Sequence, residues 1–152
     1  MTAGRLLEPG RYRLSRLSPG DRIETAAERI STARIDAFAD MTGDRFEIHM
    51  DRDAARRHGF ADRVAHGLLV LSVVDGLKNR TPAQFEALAS LGWDWQFRAP
   101  VLAGDTIRAT ITVQELRETS NPERGIVTLA FDVTNQRGDT VQRGINRLMV
   151  YR

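Results

Sequence analysis

The chain has no cysteine, a single lysine and no long apolar run, and each shortage removes a class of protein. Without cysteine there is neither a disulfide framework nor a thiolate nucleophile. Thiolate zinc sets go with it. The three histidines, His49, His58 and His66, fall at spacings that match no recognised zinc pattern, so the expectation is of no metal and no cofactor. No stretch reaches the roughly eighteen apolar residues that a membrane helix needs. The opening "MTAGRLLEPGRYRLSRLSPGD" carries charges and prolines where a signal peptide needs an apolar segment, which predicts a soluble cytoplasmic protein with no membrane partner. The shortage of lysine also reconciles two charge values. The sequence pI is 9.6, yet the formal net charge is only +2. With Lys78 the single lysine, nearly all the positive charge is arginine, which does not titrate until far above neutral pH. The arginines are scattered, without a basic run or interleaved aromatic residues, which argues against a nucleic-acid partner.

What is present fits one domain over residues 1–152, since a chain of this length buries roughly two thirds of its unfolded surface. There is no repeat, low-complexity tract or linker. The first half reads helical. In "STARIDAFADMTG", Ser31 or Thr32 is a cap, Ile35, Phe38 and Ala39 form an apolar face, and Gly43 is the stop. "DRDAARRHG" begins acidic and ends basic, as the helix dipole favours, which predicts a short helix from about Asp53 to His58 with His58 exposed at its C-terminus. "AHGLLVLSVVDGLKN" is apolar on almost every side and reads as a buried helix.

From Leu91 the period changes to two. "WDWQFRAP" places Trp93, Trp95 and Phe97 on one face and ends at Pro100. The two tryptophans read as core or dimer contacts. "AGDTIRATITVQEL" alternates Ile107, Ala109, Ile111 and Val113 after a Gly104-Asp105 turn, and "GIVTLAFDVTNQRGDTVQRGINRLMVY" reads as two strands joined at "NQRGD". A buried helix and an antiparallel meander satisfy each other if the sheet wraps around the helix. That is the α+β class, in the hot-dog arrangement.

Between the first two helices lies "GDRFEIHMD", with Asp44 five residues before His49. The spacing suits neither a helix face nor a strand alternation, so the pair sits on an irregular turn that can aim two side chains at one point. Read alone, Asp44 is more often a helix cap, and His49 more often a satisfied structural residue.

Three blocks, "FADMTGDRFEIHMD", "VAHGLLVLS" and "FRAPVLAGDTIRATITV", together resemble the MaoC-like dehydratases, which include the (R)-specific enoyl-CoA hydratases. The resemblance runs from about Ile30 to Val150. The family's motif Gly-Asp-x-Asn-Pro-aliphatic-His meets this chain at Gly43, Asp44, Ile48 and His49. It implies that Asp44 and His49 hold one water and add it across the double bond of a trans-2-enoyl thioester, or run the dehydration in reverse. The chemistry suits the residue types, because hydration needs a base for the water proton and an acid for the α-carbon. Charge builds on the thioester oxygen. Gly67, at the start of the buried helix, offers a backbone N–H with the helix dipole behind it, and no side chain to obstruct it; the family's glycine in the "HG" block has this role, whereas read alone Gly67 is equally a glycine that starts a helix. His66 reads as structural, orienting the turn into the helix.

Two positions depart from the pattern. Phe46-Glu47 replaces Asn-Pro, which predicts that Phe46 narrows or reshapes the pocket. Asp75 stands eight residues after Gly67, where several relatives carry serine, as either a buried hydrogen-bonded group or an extra charge in the pocket. The leading expectation is an enoyl-CoA hydratase or dehydratase; a thioesterase using Asp75 and a non-catalytic acyl-thioester binder are the alternatives. Arg56, Arg57, Arg63, Arg98 and Arg108 supply charge for the phosphates of an acyl-CoA substrate. A homodimer is expected, because one such unit leaves a sheet edge open.

Overall fold

The computed structural model describes residues 4–152. Three long strands, β6 (Thr106–Glu118), β7 (Arg124–Thr134) and β8 (Thr140–Tyr151), form the antiparallel meander. Strict alternation builds its inner face, with Ile107, Ala109, Ile111 and Val113 all buried, as are Val127, Leu129, Phe131 and Val133 of β7. Burying a side chain of this size contributes about 1.5–3 kcal/mol. The "NQRGD" segment turns as expected, with Gly138 at φ 82° and the Asn135 Oδ1 accepting from the N–H groups of Arg137 and Asp139.

The sheet order is β2-β6-β7-β8-β5, with β2 Arg22–Glu24 and β5 Ala87–Phe97 at the ends. The two-residue β3 (Glu28–Arg29) also pairs with β6, and β1 (Gly10–Tyr12) lies parallel to β4 (Ala83–Phe85). The strands β1, β2 and β3 correct the expectation that the first half is helical. Two or three residues are too few to show a period, and each is held by a partner far away in sequence. β5 starts four residues earlier than Leu91, because register shifts at Ala87/Ala89 and Ser90/Gly92 break its alternation.

Helix α1 (Thr32–Thr42) starts where Ser31 accepts from the Arg34 N–H and stops where Gly43, at φ 77°, closes onto the Ala39 carbonyl. Short helices α2 (Glu47–Met50) and α3 (Arg52–Arg57) follow, the latter capped by Asp51. Helix α4 (Gly67–Lys78) lies on the inner face of the sheet, with Val70 and Val74 fully buried. The expectation of burial on every side fails here. Leu68 is 61% exposed and Ser72 is exposed, so one stripe of α4 faces the sheet and the opposite side is open. Among the described residues no helix is long and apolar enough to cross a membrane.

Candidate active site

The αL turn at Gly43 delivers the chain out of α1 into the loop that carries Asp44. The Thr42 hydroxyl accepts from the Asp44 N–H at 3.2 Å, and Asp44 Oδ1 accepts from the Phe46 N–H at 3.2 Å. This local turn, with the Phe46 carbonyl accepting from the His49 N–H, makes α2 and swings His49 back toward Asp44.

His49 donates its Nδ1 proton to the Val64 carbonyl at 2.6 Å, which leaves Nε2 as a free lone pair. His66 donates from Nε2 to the Asp44 carbonyl at 2.8 Å, so its Nδ1 is also unprotonated. The two rings stack with centroids 3.9 Å apart, and the Phe38 ring packs tilted against His66 with centroids 4.9 Å apart. Donor atoms of Asp44, His49 and His66 all lie within 4.8 Å of one another. Sequence spacing does not show this convergence; the structure makes it from the N-terminus of α4 and the loop after α1. His66 is therefore the tie between loop and helix, and the only sequence signal for it was its place beside Gly67.

Arg63 anchors the loop from behind. Its Nε donates to the His49 carbonyl at 2.5 Å and its terminal nitrogen pairs with Asp36 at 2.5 Å. Burial pushes the His49 pKa below its ordinary value, with the neighbouring His66 and Arg63 acting in the same direction; the bond to Val64 and the Asp44 charge oppose them without reversing the sign. His49 is thus kept in the neutral form that can accept a proton.

His49 and Gly67 line one cavity of about 330 Å³, together with Phe60, Phe97, Arg98 and Gln142. The His66 side chain makes no capping hydrogen bond to the N–H groups of α4, and no acid stands in the first turn. The leading N–H groups of a helix have no intrahelical acceptor, so those of α4 are available to a ligand oxygen. A Cβ placed on Gly67 would come within 2.6 Å of the Phe97 ring. Buried Gln142 holds the Gly67 carbonyl at 3.1 Å and accepts from Trp95 Nε1 at 2.8 Å. Trp93 and Trp95 pack against Phe131 and the core. Phe97, expected on their face, is instead 57% exposed at the mouth of the cavity.

The remaining candidates separate. Phe46 is 55% exposed and meets His49 edge-on, with ring centroids 5.9 Å apart, and it is not among the residues lining the cavity. Glu47 pairs with His58 at 2.7 Å, which ties α2 to the exposed end of α3. Asp75 lies about 12 Å along α4 from Gly67 by helical rise. Its carboxylate meets Lys78 Nζ at 2.7 Å, and Lys78 is itself buried over the Trp93 ring. The pairing removes Asp75 from the His49 cavity. Of the five arginines, Arg98 lines the cavity and is exposed, whereas Arg63 is already used by Asp36 and the His49 carbonyl. A second, larger cavity of about 470 Å³ lies between α1 and α4, lined by Arg34, Phe38, Met41 and Val73, among others. No base faces it.

An antiparallel sheet holding one helix on its inner face, with the Asp44–His49 loop at that helix's N-terminus, is a hot-dog fold of the α+β class. The fold matches that of a double-hotdog conserved hypothetical protein from Mycobacterium tuberculosis, at TM-score 0.82 and 21% identity over 95% of this chain and 46% of that one. A sequence model of the MaoC like domain matches residues 16–135, and the chain belongs to the MaoC-like dehydratase family. The MaoC-like dehydratase of Rhodospirillum rubrum superposes at TM-score 0.84 with 30% identity, covering 93% of this chain and 97% of that one. An (R)-specific enoyl-CoA hydratase from the same organism is 35% identical over 71% of this chain and 72% of its own. Protein MaoC of Klebsiella aerogenes is 34% identical over 70% of this chain. The mitochondrial 3-hydroxyacyl-[acyl-carrier-protein] dehydratase of Arabidopsis thaliana is 34% identical over 60% of this chain. The chain spans only 32% and 53% of the lengths of these last two relatives.

Proposed function

We propose that the protein is an (R)-specific enoyl-CoA hydratase, or 3-hydroxyacyl-CoA dehydratase in reverse, acting on trans-2-enoyl thioesters. The observation that carries this reading is the unprotonated Nε2 of His49 beside Asp44, in one cavity with the uncapped start of α4. Water held between Asp44 and His49 loses a proton to Nε2 as its oxygen bonds to the β-carbon. The electrons of the double bond move toward the thioester, where the Gly67 N–H takes the developing negative oxygen. The proton is then returned to the α-carbon, so the pair ends as it began. Arg98 at the cavity mouth is the contact for a CoA phosphate. A homodimer fits the same surface, because the open edge strand β5 carries Leu88, Leu91 and Phe97 at 41–57% exposure and the open side of α4 carries Leu68.

Incubation with a series of trans-2-enoyl-CoA substrates, following both the enoyl-thioester absorbance and free thiol, tests the reading. Loss of the absorbance without thiol supports hydration. Thiol release makes the protein a thioesterase, and a bound but unchanged substrate makes it a binder.

A further inference from the structure

We propose that Asp44, His49 and His66 form a binding site for a divalent transition-metal cation of the Zn²⁺ class, and that the cation reversibly switches hydration off by taking the place of the water. The second half rests on the hydratase reading, while the first half does not.

Each imidazole has spent its one proton outward on a backbone carbonyl, His49 on Val64 at 2.6 Å and His66 on Asp44 at 2.8 Å. Metal-binding histidines take this arrangement, since the outer N–H bond fixes the ring and leaves the inner nitrogen as a ligand. His66 adds an independent sign. Its ring is 2% exposed, yet Nδ1 has no hydrogen-bond partner among the described residues. A buried acceptor without a donor is unfavourable unless something electropositive supplies the contact.

Three ligand groups therefore gather, one ring nitrogen from each histidine and a carboxylate oxygen, all within 4.8 Å. One water has two hydrogens and leaves one acceptor unmet. A cation has no such limit. Two imidazoles, one carboxylate and an open fourth position are the ligand set of exchangeable zinc sites, and imidazole favours Zn²⁺, Ni²⁺ and Cu²⁺ over Mg²⁺ or Ca²⁺. Ligands on a tetrahedral Zn²⁺ stand about 3.3 Å apart, given bonds of about 2.0–2.1 Å. To meet at one ion the stacked rings, with centroids 3.9 Å apart, must splay so that their in-plane lone pairs converge, and Asp44, exposed on its loop, is the member free to close in. Arg63 is the cation that opposes binding, and its charge is countered by Asp36.

Chelator-treated protein is titrated with Co²⁺ under visible absorption and with Zn²⁺ under calorimetry. One site is expected, with the intense absorption of low-coordinate Co²⁺ that Zn²⁺ abolishes on displacement. Asp44→Asn, which keeps the loop's shape, and His66→Gln should each weaken Zn²⁺ affinity at least tenfold. His58→Ala should leave the affinity unchanged, and melting curves identify any variant that has not folded. In the hydratase assay Zn²⁺ should inhibit and EDTA should restore the rate. Absorption no different from aqueous Co²⁺, or equal Zn²⁺ affinity in the wild type and Asp44→Asn, overturns the site. Metal binding without hydratase activity would instead sink the functional reading and leave the site standing. Hydration that persists with the site filled overturns the switch.

Discussion

Replacing Gly67 by alanine separates folding from catalysis. The new Cβ would lie 2.6 Å from two atoms of the Phe97 ring, well inside van der Waals contact, so the ring must move. Phe97 is 57% exposed and its ring edge is the far end of a mobile side chain, so it can swing outward at little cost. Alanine also suits a helix better than glycine, by up to about 1 kcal/mol in an interior position. The two effects nearly offset, and stability should change by no more than about 1 kcal/mol. Catalysis should respond differently. A donor must approach the thioester oxygen to within about 2.7–3.1 Å, and removing one such donor costs roughly 10²–10³ in kcat. The methyl group and the displaced ring intrude on the cavity that His49 shares, so a loss of similar size is expected in kcat/KM. Steady-state hydration of a short enoyl-CoA, with urea denaturation run in parallel, gives both numbers. Unchanged kcat/KM would remove Gly67 from the mechanism, and a loss that tracks unfolding would make it a packing glycine.

Asp44→Asn and His49→Gln should each lower kcat by roughly two to four decades, and the double variant should be little worse, because two groups on one water act as a unit; singles that multiply in the double would place them on different steps. The depressed pKa of His49 means that the unfolded chain takes up a proton at about pH 6.5 while the native chain does so only at lower pH. Its contribution to stability is therefore complete above about pH 6.5 and falls as the pH drops through the window down to the native value, and kcat/KM should fall through the native value too. Denaturation and rates between pH 5 and 8 check this, and an acidic limb centred at pH 7 or above would contradict it. Leu91→Glu, on the exposed edge of β5, should give a monomer by light scattering at micromolar concentration, and an unchanged dimer would place the interface elsewhere. Phe46→Asn removes the ring that meets His49 edge-on and should change the ratio of kcat/KM between short and branched enoyl-CoA substrates; an unaltered ratio would mean the ring does not shape substrate choice.

Much of the architecture follows from local rules. Ser31 and Gly43 bound α1 because a hydroxyl cap and an αL stop act within a few residues, and β6 alternates cleanly because each inward residue faces the same core. The Asp44–His49 turn was legible for the same reason, as its hydrogen bonds run between near neighbours. Long-range placement was not legible. The short strands β1 to β3 exist only through distant partners, and Phe97 leaves its tryptophan neighbours because the end of β5 meets Gly67. Asp75 read as a possible pocket charge until the fold buried Lys78 one helical turn away and paired the two. The convergence of His66 on Asp44 and His49 is the clearest case. Residues 22 positions apart in sequence meet because the meander and α4 close around one core, and no spacing along the chain encodes a distance that packing alone sets.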